Sequence, residues 1–181
     1  MEISVIELKA TEDDHMSADL MVFDKSKAPM EPIEFLKWFY EKTAWTSDRD
    51  YYDIKGASPE LVNFFMEIIR EYPAMNGPFA PSDEEMEKIE DNPELESRLT
   101  EYNIDDDLIY MGFAWSVSDK AFDLVEELAY KHGLGFFDMF NVHLDRKTVI
   151  KIPQISREKL NQEENKQGPK RKGLFGWLFG K

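Results

Sequence analysis

Three consecutive aspartates, Asp105, Asp106 and Asp107, could gather a divalent cation, since carboxylate oxygens are what hard divalent cations take. Successive side chains of a β-turn diverge, however, so the three cannot all address one centre. A solvated hairpin turn is the expectation, with a shared cation as the alternative. The run DRDYYD, residues 48–53, approaches a calcium loop but places Tyr52 where an oxygen ligand is needed, and no glycine follows at the required place. His15, His132 and His143 stand in no ligand spacing with one another. His132 reads as a cation at the end of a helix, with a general base as the alternative. With no cysteine, thiolate nucleophiles, disulfides and Cys-ligated zinc are excluded. No phosphate loop, nucleophile elbow or HExxH run occurs. The expectation is therefore no catalytic residue, no cofactor and no metal: a protein that is not an enzyme.

Binding is the function class that remains, and charge says with what. The chain carries 22 Lys and Arg against 37 Asp and Glu, a formal net charge of -15. Residues 1–165 alone stand at -20, because everything from Lys166 onward is basic or neutral. Such a body repels phosphate backbones, which argues against nucleic acid, and attracts a protein partner with a basic surface. The alternative is that acidity serves solubility alone. Aromatic residues in loops make good anchors for a partner, so Trp45, Tyr51 and Tyr52 join Asp83, Glu84, Glu85, Asp105, Asp106 and Asp107 as the candidate contact set. The turn-rich YPAMNGPFAP, residues 72–81, either redirects the chain or forms the rim of a groove beside those aromatics, and Asn76 and Gly77 suit positive φ. Trp38 and Trp115 are assigned to packing.

A second contact is written into PKRKGLFGWLFGK, residues 169–181. Lys170, Arg171 and Lys172 precede an apolar cluster of Leu174, Phe175, Trp177, Leu178 and Phe179. Basic residues beside interfacial aromatics favour an anionic bilayer, weakly and reversibly at this length. The same side chains could fill a groove on a partner or on this protein itself. The opening MEISVIELKATEDDH lacks the positive start and long apolar run of a secretory signal, and no stretch reaches the roughly 20 apolar residues of a spanning helix. The expected location is the cytoplasm, with possible peripheral attachment at the inner membrane.

These residues must be positioned by one core, since 181 residues with 42% hydrophobic side chains suit a single domain with appendages. SPELVNFFMEIIREYP reads as a helix with Ser58 as N-cap, Pro59 at the first position and an apolar stripe of Leu61, Phe65, Ile68, Ile69 and Tyr72, ended by Pro73. SVSDKAFDLVEELAYKHGLG reads as another, with Ser116 and Asp119 resembling a capping box, a buried face of Ala121, Leu124, Val125, Leu128 and Ala129, and Gly133 as a left-handed cap. An earlier helix, EPIEFLKWFYEKTAW, turns Ile33, Leu36, Phe39 and Trp38 inward. Residues 18–24, 108–115 and 135–140 read as buried strands, residues 99–104 as an edge strand in a hairpin through the aspartates, and residues 147–152 as a further strand. Residues 79–99 are an acidic insertion with a short helix over 84–89. The order gives an α+β fold: a ferredoxin-like βαββαβ sandwich, mainly antiparallel, with helices on one face and an extra helix in the first crossover. The expected organisation is an N-terminal extension over 1–15, a single domain over 16–152, a flexible linker over 153–172 and the tail over 173–181.

The segments MSADLMVFD, YPAMNGP, FAWS and KHGLGFFD occur together and in order, and with the Trp before the polar loop they resemble a family of small uncharacterised bacterial proteins. The resemblance covers about residues 16–140. It implies bacterial origin and a compact domain, and an immunity-type role beside a toxin; it implies no catalytic residue.

Overall fold

A computed structural model describes residues 17–166. Six strands, β1 (Ser17–Phe23), β2 (Glu101–Ile104), β3 (Leu108–Ala114), β4 (Gly135–Phe137), β5 (Asn141–His143) and β6 (Val149–Lys151), form one sheet in the order β2-β3-β1-β4-β5-β6. Every neighbouring pair is antiparallel. The expected hairpin through the aspartates is present, with Glu101 opposite Gly112 and Ile104 opposite Ile109. Central β1 pairs with β3 from Ser17 opposite Ala114 to Phe23 opposite Leu108, and with β4 at Phe23 opposite Gly135.

Both faces of the sheet are apolar, because β1 reads Leu20, Met21, Val22, Phe23 without alternation, the pattern of a strand buried on both sides. Leu20 and Val22 join Ile109, Met111, Phe113 and Phe136 under helices α2 (Pro59–Ile68) and α5 (Ser118–Lys131). Met21 and Phe23 join Phe137 and Val142 on the opposite face, covered by α1 (Pro32–Lys42) and α6 (Arg157–Lys166). Each of these side chains contributes roughly 1.5–3 kcal/mol when fully buried. The expectation of helices on one face is thus corrected: α1 lies across the sheet from α2 and α5. Its apolar residues cover much of its circumference, and the side it buries is that of Phe35 and Leu36.

The close packing of this second layer appears at Gly135. A Cβ built there would lie 2.3 Å from Phe23 Cζ, so the Phe23 ring occupies the space left by the absent side chain. Phe35 and Trp38 hold that ring at 5.3 and 5.9 Å between centroids. Trp38 is a packing residue, as expected.

Helix α2 starts as read, with Ser58 as N-cap, its hydroxyl accepting from Leu61 N, and Pro59 at the first position; it ends at Ile68, before Pro73. Helix α5 departs from expectation at its start. A 3-10 turn occupies Trp115–Val117, and the helix begins at Ser118 with no side-chain cap. It ends on His132 and on Gly133 at φ +73°. Strand β4 stops at Phe137 rather than residue 140, because Asp138 turns the chain and Met139 takes φ +69°. Residues 141–143, not foreseen as a strand, then return as β5.

The 153–172 segment is not all linker. Residues 157–166 form α6, where Leu160 is buried, and Tyr40 Oη donates to the Ile155 carbonyl at 2.9 Å. One apolar residue among nine charged or polar ones suffices to seat the helix on α1. The extension over 1–15, the end of the expected linker from residue 167 and the tail over 173–181 lie outside the described residues.

Candidate partner-binding surface

The loop after α1 carries the aromatic candidates. Thr43 caps α1, its Oγ1 donating to the Phe39 carbonyl at 2.7 Å, and Trp45 then takes φ +50°. A left-handed backbone costs an L-residue about 1–2 kcal/mol. The Trp45 ring offsets this by packing edge-on against Tyr51 at 4.9 Å and Tyr110 at 6.2 Å. Trp45 is therefore half-buried, one side of it occupied by the core. Tyr51 hydrogen-bonds through its hydroxyl with Ser47 Oγ at 2.6 Å, and its carbonyl accepts from Ile104 N at 2.8 Å, covering part of the β2 edge. Tyr52 is 39% exposed.

The YPAMNGPFAP turn does lie beside these aromatics. Gly77 has φ +81°, and a Cβ there would fall 2.4 Å from Tyr52 Cβ, so glycine is needed both for the turn and for the close approach. Asn76 does not take positive φ. Phe79 anchors the far side of the turn edge-on to Phe65 at 5.2 Å.

The three aspartates are brought into the same neighbourhood, and each of them already has a cation. Arg49 Nη1 donates to Asp105 Oδ1 at 3.1 Å and also to Asp106, while its Nη2 donates to the Lys55 carbonyl at 2.8 Å. Lys42 Nζ lies 2.7 Å from Asp107 Oδ2 and 3.3 Å from Asp105 Oδ2. Burial works against the charge on Lys42, but its hydrogen bond to Asp107 and the nearby carboxylates outweigh it and hold the ammonium above its ordinary value. Asp106 alone of the three faces solvent. The turn thus serves to fasten the hairpin to the loop after α1. Lys42 and Arg49 were not singled out in the sequence; their signal was two cations flanking Trp45 in an acidic chain.

Asp83, Glu84 and Glu85 stand apart from that network, in the first turn of α3 (Asp83–Glu90). Ser82 and Glu85 form a capping box, with Ser82 N donating to Glu85 Oε2 at 2.9 Å and Ser82 Oγ at 2.7 Å. Those bonds hold the Glu85 carboxyl below its ordinary value. Carboxylates also suit the positive end of a helix. The helix has no buried residue, nor has α4 (Pro93–Glu96), which follows it.

Two further groups matter for chemistry. His132 Nε2 lies 3.1 Å from Glu67 Oε1, and Lys131 Nζ 2.6 Å from Glu67 Oε2, tying α5 to α2. Hydrogen bonding to Lys131, against some burial, holds Glu67 below its ordinary value. His143 lies face to face with Phe136 at 5.3 Å, with Nε2 2.8 Å from Asp138 Oδ2 and Nδ1 3.8 Å from Glu126 Oε1. Tyr130 donates to the same Glu126 oxygen at 2.9 Å, and burial with that carboxylate pushes the phenol up to about 12. Acid and base groups converge here, but both imidazole nitrogens face carboxylates of the protein itself. The arrangement joins α5 to the turn after β4.

Trp115, expected in the core, is 62% exposed. It follows the last residue of β3, where the chain leaves the sheet for the 3-10 turn, so the strand's apolar pattern overruns its end by one residue. Comparison with protein-family models, curated proteins and solved structures finds no match to the chain in any of the three.

Proposed function

We propose that the chain is a non-enzymatic acidic binding protein, an immunity-type inhibitor that covers the basic surface of a bacterial toxin. The observation that carries this reading is α3. It holds Asp83, Glu84, Glu85, Glu87 and Glu90 against a lone Lys88, and it buries none of them. Carboxylates held on a capped helix and free of core duty suit a basic partner, where complementary charge speeds encounter. Asp105 and Asp107, engaged by Lys42 and Arg49, contribute less than sequence alone suggests; Asp106 and Tyr52 are the accessible members of that half of the surface. The test is retention of proteins from native lysate on the full chain and on a Glu84→Gln, Glu87→Gln, Glu90→Gln variant. A basic protein held at low salt, released at high salt and lost on the variant is expected. Recovery of no basic protein at either salt, or retention indifferent to the variant, overturns the reading.

The same reading includes a ferredoxin-like βαββαβ frame extended by β5 and β6. Its support is the order β2-β3-β1-β4, antiparallel throughout, with α2 and α5 together on one face. It also includes membership of the small bacterial family that the YPAMNGP, FAWS and KHGLGFFD segments resemble, and a cytoplasmic location. Among the described residues no helix is long and apolar enough to cross a membrane.

A peripheral membrane adaptor anchored through the tail is the second reading, favoured by Lys170, Arg171 and Lys172 upstream of Trp177 and Phe179. Flotation of the full chain with anionic vesicles, against a variant with those three cations changed to glutamate, separates the two. Equal flotation removes the anchor.

A further inference from the structure

Two grooves lie on α1, one on each side of the hydrogen bond from Tyr40 Oη to the Ile155 carbonyl. The first, of about 470 Å³, runs between α1 and α6 and is walled by Trp38, Tyr40 and Leu160, with Glu34, Lys37 and Glu41 on the α1 side and Arg157 on the α6 side. The second, of about 330 Å³, runs between α1 and residues 153–156 and is walled by Leu36, Phe39, Phe137, Met139 and Ile155. Their volumes fall within or near the range of sites that hold small ligands or inserted side chains. The second is lined mostly by aromatic and aliphatic side chains, and the first sets Trp38, Tyr40 and Leu160 among charged ones.

We propose that residues 174–179 of the same chain dock into these paired grooves. Three observations support an intramolecular occupant. The first is continuity: α6, whose Leu160 forms one wall, leads directly into the tail. At 1.5 Å per residue Lys166 lies about 9 Å beyond Leu160 along the helix. The eight residues from Lys166 to Leu174 span at most roughly 29 Å, ample for the chain to double back, and Gly168 and Pro169 are residues that end a helix.

The second is chemistry. Leu174, Phe175, Trp177, Leu178 and Phe179 are five apolar side chains within six residues, and aromatic walls receive aromatic rings in the offset and edge-on arrangements they favour. The third is charge. Lys170, Arg171 and Lys172 would be drawn to a body of formal charge -20, while within the first groove Lys37 and Arg157 balance Glu34 and Glu41. A short tether adds a further advantage, since it presents the tail at an effective concentration of order millimolar.

The tail then has two states, docked on α1 or released, and a bilayer or a partner gains it only by competing with the groove. This goes beyond the acidic-partner reading and stands independently of it, because the groove linings share no residue with α3, Asp106 or Tyr52.

The chain has no cysteine, so Lys181→Cys gives a single site for a nitroxide label on the full-length protein. Amide resonances of residues 36–41 and 154–160 should lose most of their intensity, and should recover when Phe175→Asp and Trp177→Asp are added. Loss that is absent, uniform, or centred on α3 overturns the proposal. So does loss of the same amides in a mixture where label and isotope sit on different molecules, which would place the tail of a second copy in the groove.

Discussion

Arg49 donates from Nη1 to Asp105 Oδ1 at 3.1 Å, across 56 residues of sequence, with only 18% and 16% of the two side chains exposed. Hydrogen bonds to charged groups in such sites contribute about 1.5–3 kcal/mol. Arg49→Met should therefore lower unfolding free energy by about 2 kcal/mol, measured from the urea midpoint. Asp105→Asn should cost less in the Arg49→Met background than alone, with a coupling energy on the order of 1 kcal/mol. Full additivity of the two substitutions would show that the pair does not fasten the hairpin.

Gly135→Ala places a methyl 2.3 Å from Phe23 Cζ. The ring is confined by Phe35 and Trp38, so it cannot move aside freely, and overpacking of this kind costs about 1–3 kcal/mol. A lowered thermal midpoint is expected, together with altered near-ultraviolet circular dichroism from the displaced aromatics.

Asp138 gives the fold an acid-sensitive joint. Burial opposes its charge, but hydrogen bonds from His143, Asn141 and Phe140 N prevail and hold the carboxyl below its ordinary value. Because the folded-state value lies below the unfolded one, near 3.9, this stabilisation is fully present above about pH 4 and is lost as pH falls through the folded value. Thermal midpoints of the wild type should fall more steeply below pH 4 than those of Asp138→Asn. Parallel curves would assign the acid response to other carboxylates.

Ser82→Ala removes the hydroxyl half of the α3 capping box and should cost about 1 kcal/mol locally. Since α3 has no buried residue, global stability should stay unchanged while α3 amides exchange about fivefold faster. A global loss would show that α3 supports the core rather than standing outside it.

Much of the fold was legible because the responsible signals are local. Ser58-Pro59 at a helix start, Gly133 at a helix end and the hairpin turning through Asp105, Asp106 and Asp107 are each set by residues adjacent in sequence, and each is present. The face on which α1 packs was not legible, since Ile33, Phe35, Leu36, Trp38 and Phe39 offer an apolar surface in several directions and only the docked sheet selects one. Helix α6 was hidden for the opposite reason: Leu160 is a single apolar residue among charges. The candidate surface was read partly from composition, which counts Asp105 and Asp107 as free charge. The cations that engage them, Lys42 and Arg49, are distant in sequence, and composition carries no information about pairing.

The central place of β1 also governs the order in which the molecule can assemble. Its two neighbours, Leu108–Ala114 and Gly135–Phe137, are synthesised long after it, so Leu20–Phe23 leaves the ribosome without a strand to pair with. Sheet formation must wait until most of the described chain has emerged, and closing such distant pairings slows folding. A nascent chain halted before residue 108 would carry an adhesive apolar segment, a natural substrate for chaperones that hold extended peptides.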